Sequence, residues 1–168
     1  LVQAADFVPE VESRPESALR SSVLGYLAVC RGRSEEAERY LAEAWRRVGD
    51  ADPDDARALI CRHRVLDSLA RWDGEDLVLW SERSVELERG GAASAVESIA
   101  MTGLGLGMLG DIDRAHELHA DALLRTGNSA QTQRLLLGQG WLDLADDRFA
   151  GARRALESAL PTTRRGGS

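Results

Sequence analysis

The stretch GLGLGMLGDIDRAHELHADALLRTGN, residues 103–128, decides the fold of this 168-residue chain. Gly105, Gly107 and Gly110 have the G-x-G-x-x-G spacing of a loop that holds the pyrophosphate of a dinucleotide, and such a loop follows a buried strand. The preceding residues, ASAVESIAM, instead repeat apolar side chains every three or four positions, which predicts a helix. We therefore expect these glycines inside and at the end of a helix, without a dinucleotide site.

The same helical periodicity continues on both sides of this stretch. Short breaks rich in Gly, Asp and Ser interrupt it at regular intervals. Between the breaks the sequence predicts helices and no strand, so the predicted fold class is all-α. We place eight helices near residues 16–31, 35–48, 55–71, 75–89, 94–109, 112–126, 130–145 and 148–160.

Residues 103–128 have counterparts elsewhere in the chain, at successive shifts of 40, 38 and 37 residues. Small side chains recur at equivalent positions, which allows two helices to cross at about 8–10 Å, and a bulkier position fills the space between adjacent helices. The second repeat departs most from the pattern. The small columns are Gly25, Val65, Gly103, Gly140; Ala37, Leu77, Ala115, Ala152; and Ala44, Ser84, Ala122, Ala159, and the bulky column is Leu41, Ser81, His119, Leu156.

The spacing of Gly25, Gly32, Ala37, Leu41 and Ala44, which recurs 78 residues later, resembles tetratricopeptide repeats, although the unit is longer than the usual 34 residues. The resemblance implies a right-handed solenoid of four tetratricopeptide-like helical hairpins, because stacking buries the apolar face that one hairpin leaves exposed. The expected repeats span residues 16–48, 55–89, 94–126 and 130–160, between an N-terminal remnant or linker at 1–15 and a C-terminal linker at 161–168.

Residues 103–128 and the phrase GWLDLADDRFAGARRALESAL are similar to the helical repeat region of bacterial LuxR-type and related signal-transduction ATPase regulators. This resemblance implies a sensor or interaction arm of a cytoplasmic transcription regulator. Its partner would be a protein or peptide, including neighbouring domains of the same polypeptide.

Composition excludes several other classes of function. The 21 basic residues are all arginine and face 28 acidic ones, so the net charge of −7 disfavours direct nucleic-acid binding by this segment, and lysine-based catalysis is excluded. No apolar run approaches the roughly 20 residues that span a bilayer, and the N-terminus does not have the pattern of a signal peptide. Cys30 and Cys61 lack metal-ligand spacing, and we expect reduced thiols in a cytoplasmic protein.

One acidic segment has part of the pattern of a calcium loop. Asp50, Asp52 and Asp54 alternate as calcium ligands do, but Asp55 replaces the glycine of the sharp turn and Cys61 stands where a bidentate Glu is required. Aspartates between two helices also cap the second one. We therefore expect a helix connection rather than a calcium site.

A second cluster lies on one helix. Asp113, His116, Glu117 and His119 fall within two turns, but a metal would need a further ligand from elsewhere, and His119 belongs to the bulky packing column. We expect His119 to be a core imidazole. The prediction is of no catalytic residue, no cofactor and no metal.

The best candidate site is the concave face that first helices line in a right-handed stack of hairpins. Its matching positions combine apolar and charged side chains, which suits an amphipathic helix or an extended peptide. A small-molecule effector is the alternative ligand, and a third possibility is that these side chains contact each other across a tightly curved array. The predicted groove residues are Tyr26, Val29, Arg62, Leu66, Leu69, Glu97, Leu104, Arg134, Trp141 and Leu144.

Overall fold

A computed structural model describes residues 6–49, 53–88, 93–126 and 129–165 of the chain. Within these ranges the protein is all-helical, as the sequence predicts, and no strand is present. The helices are α1 Val8–Glu12, α2 Ala18–Cys30, α3 Ser34–Arg47, α4 Asp54–Arg71, α5 Gly74–Leu87, α6 Ala93–Met108, α7 Ile112–Arg125, α8 Ser129–Ala145 and α9 Phe149–Arg165.

Local chemistry accounts for several helix starts. The Ser17 side chain accepts a hydrogen bond from the backbone N–H of Arg20 at the start of α2, and Asp73 does the same for Asp76 at the start of α5. Each cap satisfies one of the backbone donors that a helix leaves without an internal partner. Asp54 and Asp55 place negative charge in the first turn of α4, where the helix dipole favours it.

Consecutive helices pack as pairs: α2 with α3, α4 with α5, α6 with α7, and α8 with α9. The chain divides into two compact units, residues 1–88 and 89–168. In the first unit α4 also packs on both α2 and α3, and in the second unit α8 packs on both α6 and α7. Within each unit, therefore, one pair stacks on the other through the first helix of the second pair.

The columns of small residues mark the closest helix crossings. Ala37, Ala44, Ala115 and Ala122 are completely or almost completely buried. A Cβ atom added at three glycines would overlap the bulky residue of the same pair, so the glycines make room for it. Such an atom would lie 2.6 Å from Leu41 Cγ at Gly25, 2.2 Å from His119 Cδ2 at Gly103 and 2.7 Å from Leu156 Cγ at Gly140.

The turn inside each pair repeats as well. One residue of each turn is left-handed, with φ of 69° at Gly32, 57° at Trp72, 85° at Gly110 and 55° at Asp147. The next residue donates its backbone N–H to the carbonyl five positions earlier, over 2.7–3.0 Å. This is the hydrogen bond that closes a helix C-terminus with a Schellman motif. The four turns are 40, 38 and 37 residues apart, which confirms the repeat spacing.

Two prolines lie within helices. Pro9 lies in the first turn of the short helix α1, where its missing N–H is no loss. Helix α9 continues through Pro161 to Arg165, five residues beyond the predicted end at 160. Residues 161–165 of the predicted C-terminal linker are therefore helical.

No helix in the described part of the chain is both long and apolar enough to cross a membrane.

Candidate functional site

The glycines of the G-x-G-x-x-G pattern belong to α6 and its turn. Gly105 is buried inside the helix, and Gly110 is the left-handed turn residue after it. A Cβ atom on Gly107 would lie 2.4 Å from Leu142 Cδ2, so this glycine admits a leucine of α8. A helix and not a strand precedes the pattern, as predicted, and it provides no phosphate-binding loop.

In the first unit the groove position Tyr26 contacts the stacked helix. The Tyr26 ring lies on the imidazole of His63, with the ring centroids 4.9 Å apart. His63 Nδ1 lies 2.8 Å from Ser22 Oγ and 3.1 Å from the Ser22 carbonyl oxygen. Burial lowers the pKa of His63 to about 4, so the ring is neutral at pH 7. A hydrogen bond with Cys30 raises the pKa of the Tyr26 hydroxyl.

The other groove residues of the first unit follow α2 and α4. Leu66 is exposed, while Val29 and Leu69 are partly buried. Arg62 Nη1 donates to Glu88 Oε1 over 2.5 Å. Along this side of α4 the ion pair at Arg62 is thus followed by the apolar side chains of Leu66 and Leu69.

The second unit carries a more exposed face. Trp141 is 58% exposed, and Leu137 and Leu144 on either side of it are 41% and 39% exposed. One turn before Leu137, Arg134 Nη1 donates to Glu97 Oε2 of α6 over 2.9 Å. Leu137 is absent from the predicted groove, although its position one turn before Trp141 is a signal for it. We call Leu137, Trp141 and Leu144 the α8 strip.

The predicted groove residues divide equally between the two units. Within the second unit the Glu97–Arg134 ion pair joins matching positions of α6 and α8, while Leu104 is partly buried. Each unit therefore has its own candidate face. Tyr26, Val29, Arg62, Leu66 and Leu69 belong to the first unit, and Glu97, Leu104, Arg134, Trp141 and Leu144 to the second.

The histidines of α7 have structural surroundings. His119 is fully buried, and its Nε2 lies 3.1 Å from the Ala100 carbonyl oxygen, while burial lowers its pKa. His116 Nδ1 accepts a hydrogen bond of 2.7 Å from Gln139 Nε2, and its Nε2 lies 3.6 Å from Asp143 Oδ1. His116 therefore faces α8.

No group of three or more potential ligands could hold a metal among the residues the structure describes. Asp50 and Asp52 of the acidic segment lie outside those residues. Cys30 and Cys61 are both free thiols, and burial raises the pKa of Cys61 to about 12.

A charged cluster that the sequence does not predict lies between α3, α4 and α5. Glu38 Oε2 accepts a 2.6 Å hydrogen bond from Arg64, which lowers the pKa of Glu38, and the Arg64 guanidinium lies 5.0 Å from the Trp80 ring centroid. Arg71 donates to Asp67 over 3.1 Å, while burial raises the pKa of that carboxyl. Arg64 therefore joins α4 to α3, and Arg71, which also donates to Asp76 over 2.8 Å, joins α4 to α5.

No family model matches the chain, and the searches of curated proteins and of solved structures likewise gave no match.

Proposed function

We propose that this chain is a non-enzymatic binding module whose first-helix faces bind a helix or peptide of another protein. The observation that carries the proposal is the exposure of aromatic and aliphatic side chains at one repeat position of successive first helices. Tyr26 and Leu66 hold this position in the first unit and Trp141 holds it in the second, where the equivalent Leu104 of α6 is partly buried.

The physical argument begins with Trp141. Its indole is more than half exposed and lies beside two exposed leucines. Covering this apolar surface lowers the free energy of a complex, and tryptophan is a frequent anchor of protein interfaces. Because regular helices present these side chains, the surface exists before binding and this chain loses little conformational entropy when a partner binds. Ion pairs at its edge, such as Glu97–Arg134, would fix the register of a ligand.

The right-handed solenoid of four tetratricopeptide-like hairpins remains part of this proposal. Stacking of two pairs within each unit and the four equivalent turns support it. Its proposed setting is an interaction arm of a cytoplasmic bacterial transcription regulator, in which a neighbouring domain is the ligand. The similarity of residues 103–128 to such regulators supports this setting.

A peptide-display experiment tests the proposal. Random peptides of 15–20 residues, about the length of the helices here, are selected on the immobilised chain, and affinities are measured by fluorescence anisotropy. We expect amphipathic sequences whose affinity falls at least tenfold, or about 1.4 kcal/mol, in Trp141→Ala or Tyr26→Ala.

The matched control is Trp72→Ala, since Trp72 is as exposed as Trp141 but lies in a turn. Peptides that bind all variants equally would refute the groove. Selective binding of small planar compounds in place of peptides would favour the effector alternative.

A further inference from the structure

The α8 strip occupies positions that contact the next first helix elsewhere in the chain. Trp141 is the counterpart of Tyr26, and the Tyr26 ring stacks on His63 of α4. In the first pair this position is thus part of the contact between stacked helices.

The other two members of the strip follow the same rule. Leu144 is the counterpart of Gly107, against which Leu142 of α8 packs. Leu137 is the counterpart of Ala100, which lies in the core cluster that α8 completes. The α6 counterparts of Leu137 and Leu144 are thus small, with Ala100 buried and Gly107 partly buried, whereas the two leucines of α8 are large and exposed. The strip therefore has the properties of a surface on which a helix packs.

The strip is also complementary to itself. When two copies of α8 run antiparallel with Trp141 at the crossing, Leu137 of one copy lies opposite Leu144 of the other. The same register sets Arg134 opposite Asp147, which is exposed after the C-terminus of α8. Arg134 would then meet both a carboxylate and the negative end of a helix dipole. Antiparallel pairing places these complementary charges together at both ends.

We infer that the α8 strip binds the α8 strip of a second copy of this chain, which forms a two-fold symmetric dimer. A two-fold interface needs one patch that is its own complement, as this strip is. Residues 89–168 contain nine arginines and nine acidic residues, so the unit that carries the strip has no net charge to oppose the pairing. The inference rests on the proposed function, because it names the protein partner of the second unit's face.

Sedimentation equilibrium of the full chain tests the dimer. Because the strip consists of only three apolar side chains, we expect a weak dimer with a dissociation constant of about 1–100 μM. Leu137→Arg should weaken dimerisation at least tenfold, because it places a cation opposite Leu144. The matched control is Leu124→Arg, an 87% exposed leucine on α7, which should dimerise like the parent chain. Circular dichroism confirms that each variant is folded.

Cysteine cross-linking tests the antiparallel register. In a Cys30→Ser background, where the remaining Cys61 is fully buried, Trp141→Cys lies on the symmetry axis and should form a disulfide-linked dimer under mild oxidation. Leu137→Cys alone should not form this disulfide, because the two copies of residue 137 lie about 10 Å apart along the direction of the helices. A mixture of Leu137→Cys and Leu144→Cys chains should form the mixed disulfide.

A chain that stays monomeric up to about 200 μM, or a dimer that Leu137→Arg leaves intact, overturns the inference. The proposed function still stands if a monomeric chain binds selected peptides through Tyr26 and Trp141. Conversely, the predicted cross-links in a chain that selects no groove-dependent peptide would uphold the dimer and refute the groove. The two ideas can therefore fail separately.

Discussion

At the scale of single residues, His119 fills in the third pair the position that leucine fills in the first and fourth. Its ring lies between two glycines, since a Cβ atom on Gly103 or Gly138 would come within 2.2 or 2.5 Å of ring carbons. Gly103→Ala should therefore lower the free energy of unfolding by about 1–3 kcal/mol, because the buried imidazole has no free space to move into. Urea unfolding followed by circular dichroism measures the change.

Ala120→Gly is a useful comparison for that substitution. Ala120 is exposed on α7, and its replacement should cost only about 1 kcal/mol of helix propensity. A Gly103→Ala chain as stable as the parent would show that the ring is not confined as the structure indicates.

His63 gives the protein a pH dependence. Its pKa falls from 6.5 in the unfolded chain to about 4 in the folded protein, because burial disfavours the charged ring. Between these values the unfolded chain binds the extra proton, so stability is complete above about pH 6.5 and falls as the pH is lowered towards 4. From pH 7 to 4.5 we expect a loss of about 2 kcal/mol from this residue.

Urea titrations at several pH values measure this loss. His63→Phe keeps an aromatic ring against Tyr26 but does not titrate, so its stability should change less over the same range. His119 has a lowered pKa for the same reason and contributes in the same direction. Equal pH dependence in both chains would contradict the role of His63.

Residue identity predicts burial better than it predicts partners. Helical periodicity and small columns place Leu41, Ala44 and His119 in the core, where the structure has them. Gly107 is needed because Leu142 of α8 packs against it. The sequence of α6 alone does not reveal which residues of α8 lie opposite it. The contact of His63 with Tyr26 is hidden for the same reason, since 37 residues separate the two rings.

At the scale of elements, the turns show how one backbone geometry accommodates different residues. Left-handed φ costs a bulky residue about 1–2 kcal/mol, whereas glycine adopts it freely. In the second pair Trp72 adopts this left-handed conformation and bears the cost. The equivalent residue is a glycine in the first and third pairs, Gly32 and Gly110. Its side chain is 65% exposed, so little buried area offsets the strain.

Trp72→Gly should therefore stabilise the protein by about 0.5–1 kcal/mol, since relief of strain exceeds the added entropy of the unfolded chain. Gly32→Ala makes the opposite change at an equivalent turn with no atom nearby to clash, and it should destabilise by about 1 kcal/mol. Thermal unfolding of the two variants compares them directly. A destabilised Trp72→Gly chain would mean that the indole makes a contact worth more than the strain.

The sequence predicts element boundaries well where a glycine turn or an acidic cap defines them. The starts and ends of α2 to α8 lie within two residues of the predicted positions. The last helix extends past its predicted end at residue 160, because the effect of a proline depends on its place in the helix. Pro9 occupies a first turn that needs no N–H, and Pro161 lies within a helix that continues past it.

At the scale of the whole molecule, the sequence predicts the order of the repeats, and the structure adds a division into two units. Each unit contains two stacked pairs and its own core. Local periodicity cannot indicate such a division, because every hairpin has the same pattern of small and bulky positions. The predicted groove residues lie five in each unit, so each face is a site to be tested separately.

Charge is distributed unequally between these units. Residues 1–88 contain 12 arginines and 19 acidic residues, which accounts for the entire net charge of −7, while residues 89–168 are neutral. Excess negative charge opposes a compact state through self-repulsion, and added salt screens it. The two units should therefore differ in their response to ionic strength.

We expect residues 1–88 and 89–168, expressed as separate fragments, each to be helical and to unfold cooperatively, because both pairs of a stack are present in each. Raising sodium chloride from about 20 to about 300 mM, which shortens the screening length to below 10 Å, should stabilise the 1–88 fragment and leave the 89–168 fragment nearly unchanged. Urea unfolding at the two salt concentrations provides the comparison.

The Gly25→Ala and Gly140→Ala variants, one for each fragment, confirm that the measured transition reports the packed helix crossing. An unfolded fragment at both salt concentrations would show that two stacked pairs are too few for a stable core, and an equal salt response would show that charge repulsion is not specific to residues 1–88.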